Sequence, residues 1–308
     1  MCCLFGIHDY GHYLTRKQRS TILTTLSTAC EERGTDATGI AYNHNGKLHI
    51  YKRPLPAHLM WYRVPKEATI IMGHTRMTTQ GSELRNENNH PFLGRVENGR
   101  FALAHNGVLY NDKIFRKEQK LPVTKIETDS YIAVQLLEKY GKLNFDSLQR
   151  MAEELDGSFT ITALSDKDEL YFVKGNNPIC IYHYPDIKLY LYASTEEILK
   201  KALKRIPYPM GGHQRIFLCS GEILKIDAKG KMTRSHFDDN KLYTARWSNP
   251  WQNWPQFEPT SRPYSDDSDY LSDLKSVASF YGIYPEEIDA LLVEGMTTDE
   301  IEEFLYCG

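Results

Sequence analysis

An α+β fold, with antiparallel sheets covered by helices, is predicted by three features of the sequence. Apolar runs of strand length recur through the first two-thirds, tight turn signals separate them, and helical patterns are grouped early and midway instead of following every strand. The 308 residues suffice for one large core or two smaller ones. Phe5 to His8 forms a first short strand after Cys2. Thr15 caps a helix from Arg16 to about Glu32, with Ile22, Leu26 and Ala29 on one face and Gly34 past its end. Gly39–Asn43 and Lys47–Lys52 flank Asn45-Gly46, a hairpin signal. Ala68–Gly73 and Arg100–Ala104 are strand-length apolar runs. Thr128 is read as the cap of a helix carrying Ile132, Leu136, Leu137 and Tyr140, stopped by Gly141, and a second helix follows near Phe145–Leu155. Strands are then expected at Phe159–Leu164, Leu170–Val173, Ile179–Tyr182 and Leu189–Ala193. After them come a helix over Glu196–Lys204 and strands at Arg215–Cys219 and Glu222–Ile226.

Composition changes after about Asp239. Trp247, Trp251 and Trp254 lie among Pro250, Pro255 and Pro259, where proline removes donors and fixes φ, so residues 239–268 read as a linker. Residues 269–308 carry three short helical patterns: Leu271/Leu274/Val277, Ile288/Leu291/Leu292 and Ile301/Phe304/Leu305. Pro285 suits a helix start and Thr298 an N-cap. The formal charge of −3 is divided: from Ser265 on, twelve acidic residues face only Lys275, leaving that stretch near −11 and the rest near +8.

No run of about 18 apolar residues is present, which excludes a membrane-spanning helix, and the apolar start is too short for a secretion signal. Six scattered cysteines in such a chain point to a reducing compartment, and a cytoplasmic location is expected. No Cys-x-x-Cys spacing suggests a metal, and no cofactor is expected.

Four stretches carry candidate chemistry. If Met1 is removed, Cys2 presents a thiol and an α-amine on one residue; an amine with a pKa of about 7.7–8.0 can act as base without a histidine. The bland alternative is that Cys2 and Cys3 are small apolar residues opening a buried strand. In Gly73-His74-Thr75-Arg76-Met77-Thr78-Thr79-Gln80-Gly81, the planar fork of Arg76 suits a carboxylate, although a solvated loop arginine is the ordinary reading. In His105-Asn106-Gly107, the Asn106 amide and the Gly107 N–H suit an oxyanion, where each donor is worth about 3 kcal/mol in the transition state. His44-Asn45-Gly46 is the same tripeptide and needs only a type I′ turn, so what distinguishes the second copy is the buried strand before it. Finally, Glu127-Thr128-Asp129-Ser130 puts a carboxylate near a helix start, where the helix dipole alone would favour it and an ammonium group would also bind.

Together these stretches resemble the class II glutamine amidotransferases, a branch of the N-terminal-nucleophile hydrolases. The resemblance runs from Cys2 to about Asp227 and includes Glu32-Arg33-Gly34-Thr35-Asp36-Ala37-Thr38-Gly39, Asp156-Gly157-Ser158-Phe159 and Tyr192-Ala193-Ser194, all in the family's order. It implies a four-layer αββα sandwich over residues 1–238. It also implies a glutaminase in which Cys2 attacks the glutamine side-chain amide to give a γ-glutamyl thioester and ammonia. By the same resemblance, Asn106 and Gly107 form the oxyanion hole, Arg33 and Gly34 line the nucleophile, Arg76 with Thr79 holds the α-carboxylate, and Asp129 holds the α-ammonium. The sequence departs from the family pattern at Cys3 (usually glycine), Met77 (commonly tryptophan) and Gln80 (often histidine).

Neither a P-loop nor a Ser-Gly-Gly-x-Asp pyrophosphatase loop is present, so the ammonia acceptor is expected on another chain. Two alternatives stay open: a γ-glutamyl amide hydrolase with water as sole acceptor, and a catalytically silent binding or regulatory module if Met1 is retained. The acidic tail is either a solvated appendage or a docking module for a protein partner, with the tryptophans as anchors. Neither membrane nor nucleic-acid binding is expected.

Overall fold

The computed structural model describes residues 2–244, 271, 275, 278 and 284–293. The chain divides into two compact units, Met1–Ser248 and Asn249–Gly308. Within the first, the elements in order are β1 (Cys3–Asp9), α1 (Arg16–Ala29), β2 (Ala37–His44), β3 (Lys47–Arg53), β4 (Ile70–Arg76), β5 (Phe92–Val96), β6 (Gly99–Leu109), α2 (Asp112–Glu118), α3 (Tyr131–Tyr140) and α4 (Phe145–Glu154). There follow β7 (Gly157–Ser165), β8 (Leu170–Lys174), β9 (Cys180–Tyr184), β10 (Leu189–Ala193), α5 (Glu196–Leu203), β11 (Gln214–Ile216), β12 (Glu222–Ile226), β13 (Met232–His236) and α6 (Asn240–Thr244). The second unit contains α7 (Pro285–Val293), whose Ile288 is buried with Ala278, while Lys275 pairs with Asp289 at 2.6 Å. The Trp247, Trp251 and Trp254 linker and the Ile301/Phe304/Leu305 pattern lie outside the described residues.

Two antiparallel sheets form the middle of the first unit. One runs β11-β9-β10-β1-β4-β2-β3 and the other β13-β12-β8-β7-β6-β5. Strand alternation assigns the layers. On β1, Cys3, Phe5 and Ile7 join Ile22, Leu26 and Ile198 from α1 and α5, whereas Leu4 faces the other sheet. On β6, Phe101 and Leu103 join Ile132, Leu136 and Leu148 from α3 and α4, whereas Ala102 and Ala104 face inward. The layer between the sheets also holds Met72, Leu164, Phe172 and Tyr192. The order helix–sheet–sheet–helix is the αββα sandwich that the family resemblance implies. Each fully buried Leu or Phe in it contributes about 1.5–3 kcal/mol.

Local signals explain most boundaries. Thr15 and Gln18 form a capping box at α1, which gives way to a 3-10 turn at Cys30–Glu32. Asn144 and Ser147 do the same for α4, Thr195 caps α5, and Gly141 closes α3 at φ 74°. Three readings are corrected. Thr128 does not cap α3: Ser130 takes that position without a side-chain cap bond, and Thr128 lies two residues ahead. The strand expected at Arg215–Cys219 is Gln214–Ile216, paired with β9. Asn106-Gly107 sits inside β6, which runs on to Leu109.

Candidate active site

β1 lies between β10 and β4, with Cys3 opposite Thr75, so Cys2 enters the sheet beside the end of β4. The Met77 N–H points at Cys2 Sγ at 3.4 Å, and the thiol is 3.5 Å from the Met77 carbonyl. Burial pushes the Cys2 thiol up; the Met77 contact and the Arg76 charge pull it down, while Asp129 raises it. Arg33 reaches across from the turn after α1, its Nε donating to the Cys2 carbonyl at 3.0 Å. Gly34 packs directly on the Arg76–Met77 backbone, where a Cβ would come within 2.4 Å of the Arg76 carbonyl carbon. Asp36 fixes the same corner, its N–H donating to the Arg76 carbonyl at 3.0 Å and its carboxylate accepting from the Thr78 N–H at 2.7 Å.

Alternation along β4 turns Met72, His74 and Arg76 toward the inter-sheet side. Arg76 is 3% exposed, with Nη1 on Asn89 Oδ1 at 2.7 Å and Nη2 on the carbonyls of Gln80 and Gly81 at 2.6 and 3.0 Å. The loop after β4 is tied down at Glu127, which takes Arg85 at 2.5 Å and Asn88 at 2.9 Å, while Gln80 donates to its backbone carbonyl. Asn88 and Ser82, with the Arg85 charge, lower the Glu127 carboxyl. Thr79 is exposed in this loop and makes no side-chain hydrogen bond among the described residues; Thr78 has the buried, unpartnered hydroxyl.

Across the gap, Asn106 is fully buried in β6. Its Nδ2 lies 3.4 Å from Ser194 Oγ, and its Oδ1 has no hydrogen-bond partner. An amide this weakly satisfied is free to turn to a ligand. Ser194 also accepts from the Leu4 N–H at 2.8 Å, and Asn177 donates to the Asn106 carbonyl at 2.9 Å, so both ends of the residue are braced. Gly107 has φ 144°, and a Cβ there would sit 1.8 Å from the Ser158 carbonyl oxygen, so only glycine fits. Asp129 is 4% exposed; it accepts from the Leu109 N–H at 2.7 Å and from Ser130 Oγ at 3.2 Å.

Behind this corner lie three buried histidines. His74 Nε2 contacts the His105 carbonyl at 3.0 Å, His105 Nδ1 meets Ser130 Oγ at 2.8 Å, and the His90 ring lies 4.2 Å from that of His74. Burial depresses all three, His74 to about 3, so they sit neutral beside the Arg76 charge. Cys3 is buried with its thiol 3.4 Å from the Leu4 carbonyl, and burial together with Cys3 pushes the Cys30 thiol well up.

Cys2, Arg33, Gly34 and Arg76 thus share one corner, with Asp129 close enough to act on the charge of Cys2 and Arg76. Asn106 and Gly107 come from the second sheet. The bracing residues Asn89, Ser194, Asn177 and Asp36 were not singled out as site residues from the sequence. Only Asp36 and Ser194 had a signal, lying within matched motifs. Among the described residues no cluster of His, Cys, Asp or Glu could hold a metal.

A family model described as a glutamine amidotransferase domain matches residues 74–201. The glutamine–fructose-6-phosphate aminotransferase (isomerizing) of Geobacillus kaustophilus (strain HTA426) is 32% identical over 184 residues, covering 57% of this chain and 30% of that protein. That of Staphylococcus epidermidis (strain ATCC 12228 / FDA PCI 1200) is 31% identical over 190 residues, covering 59% and 30%. The chain therefore spans under a third of the length of these curated relatives. A solved glutamine phosphoribosylpyrophosphate amidotransferase from B. subtilis superposes with a TM-score of 0.60 at 22% identity, over 78% of this chain and 50% of that one, a likeness of fold. The matched segment and the sandwich agree: residues 74–201 match a glutamine amidotransferase domain, and the chain around them has the fold of a solved amidotransferase.

Proposed function

We propose that the domain hydrolyses the side-chain amide of glutamine with Cys2 as nucleophile and passes the ammonia to a synthase. In the chain processed at Met1, the Cys2 α-amine takes the thiol proton. The sulfur attacks the amide carbon, and Asn106 Nδ2 with the Gly107 N–H holds the oxyanion. Collapse returns the proton to the leaving nitrogen, which departs as ammonia and leaves a γ-glutamyl thioester. Water then splits the thioester, giving glutamate and free Cys2.

Arg76, with a threonine hydroxyl of its loop at Thr79, is proposed to bind the α-carboxylate, and Asp129 the α-ammonium. Arg33 holds the Cys2 carbonyl, and Gly34 lets the Arg76–Met77 backbone close in beside the nucleophile. The observation that carries this reading is the pairing at one corner of Cys2, on the Met77 N–H, with a buried Arg76. The under-satisfied Asn106 amide supports it. A buried cation held by carbonyls has a strong demand for an anion, and a site built on two opposite charges rejects ligands lacking either group. The proposed acceptor is a separate synthase subunit.

The test is glutamate release from glutamine by the processed protein, with its intact mass recorded, against a Cys2→Ala variant. Release from wild type alone, with a trapped γ-glutamyl adduct on Cys2, is expected. Equal release from both proteins would overturn the nucleophile. Turnover of other γ-glutamyl amides but not glutamine would replace the substrate.

A further inference from the structure

A cavity of about 490 Å³ lies between α1 and the segment 58–64, and it shares no residue with the candidate active site. Its size falls in the range of small-molecule sites, about 300–1,000 Å³. Its chemistry is one-sided. Arg16, Arg19 and Arg63 line it together with Ser20, Thr24 and Trp61, and no carboxylate is in its lining. The carboxylate of Glu31 nearby is already engaged by the His58 N–H at 2.7 Å and by its Nδ1 at 2.9 Å.

Arg19 is the telling residue. It is 3% exposed; Nη1 donates to the Pro65 and Lys66 carbonyls at 3.0 and 2.7 Å, Nη2 stands 3.5 Å from the Asp9 carboxylate, and Nε has no partner. The Asp9 carboxylate is meanwhile taken by the N–H groups of Tyr13 and Leu14 at 2.9 and 3.0 Å. A buried guanidinium whose charge meets only a distant, shared carboxylate favours an anion beside its free Nε. The exposed Arg16 and Arg63 side chains make no hydrogen bond or ion pair among the described residues, so the lining adds two further forks. Trp61, 77% exposed, supplies a planar face, and with Arg63 it also lines a second cavity of about 440 Å³ that adds Tyr42 and Tyr51. An exposed indole beside arginines matches a ligand with a flat ring at one end and a phosphate at the other.

We propose that this cavity binds a nucleoside monophosphate, its phosphate on Arg16, Arg19 and Arg63 and its base against Trp61. The hydroxyls of Ser20 and Thr24 are placed for the ribose. The test is titration calorimetry of the full chain with AMP, adenosine and inorganic phosphate, on wild type, Arg63→Ala and Trp61→Ala. Both substituted side chains are exposed, and thermal melting confirms that the variants remain folded. The expected result is saturable AMP binding with Kd below about 1 mM. Adenosine and phosphate should each bind at least tenfold more weakly, and each substitution should cost AMP at least fivefold. Absence of saturable AMP binding overturns the proposal. So does AMP affinity unchanged in both folded variants, and so does phosphate binding as tightly as AMP, which would leave an anion site with no base recognition.

Discussion

His44-Asn45-Gly46 and His105-Asn106-Gly107 are one tripeptide in two settings. In the first, Asn45 at φ 51° and Gly46 at φ 69° make the turn between β2 and β3, and nothing lies within 4 Å of where a Gly46 Cβ would stand. In the second, the same letters run through β6 opposite β7, with Asn106 fully buried and Gly107 pressed on the Ser158 carbonyl. The hairpin copy is decided by local backbone preference, since Asn and Gly tolerate the left-handed region. The strand copy is decided by neighbours far away in sequence: Ser158, Asn177 and Ser194. A short motif thus carries chemistry only through what the fold packs around it.

The widest separation between the copies is expected at the glycine. Gly107→Ala must move the β7 backbone and should cost more than about 3 kcal/mol in urea unfolding, with glutamine hydrolysis lost. Gly46→Ala has room and pays only for its dihedral, about 1 kcal/mol, with hydrolysis intact. Equal losses would mean that both glycines serve backbone conformation alone.

The asparagines come next. Asn106→Ala should lower kcat about 10²–10³-fold with little change in KM, as expected for a donor used in the transition state. Asn45→Ala should leave both constants alone and cost about 1 kcal/mol of stability. Arg76→Ala sharpens the distinction, because removing a ground-state clamp should instead raise KM, by the equivalent of about 2–5 kcal/mol. A drop in kcat alone would place Arg76 outside the ground-state clamp.

A further contrast concerns pH. His74 holds its proton only near pH 3 when folded, because burial disfavours its charge, against about 6.5 unfolded. Between those values the unfolded chain binds more protons, so stability present above about pH 6.5 is lost as pH falls toward 3. His74→Gln, which keeps a donor for the His105 carbonyl and cannot titrate, should flatten that acid limb in chemical unfolding followed across pH 3–7. An unchanged limb would assign the acid sensitivity to other groups.

How much was legible follows the same division between local and distant causes. The capping box of Thr15 and Gln18, the Asn45-Gly46 turn, the Gly141 stop and the Thr195 cap are written within a few residues, and the helices and hairpin expected there form. β13 was invisible because Met232–His236 is an edge strand with four of its five residues exposed, so it carries no apolar pattern. β5 is short and interrupted by Gly94, while α2 has only Asp112 buried. Thr128 was mistaken for a cap because the side-chain rule does not reveal that Asp129 is drawn to the Leu109 N–H. Within the site, residue types that carry charge or a nucleophile stood out. Asn89 and Asn177 did not, since their work is to hold Arg76 and the Asn106 backbone and nothing local marks it.

Cys2 and Arg76 belong to one sheet and Asn106 to the other, with the side chains of Leu4, Met72, Ala104, Phe172 and Tyr192 in the layer between. That layer acts as a shim. Adding or removing a methyl group there changes the width of the gap between Cys2 and Asn106, the proposed nucleophile and oxyanion donor. Two relatives with identical reactive residues can therefore differ in rate through their interiors alone, and an engineer wishing to retune the enzyme has a dial at Ala102 and Ala104 that leaves every reactive residue in place.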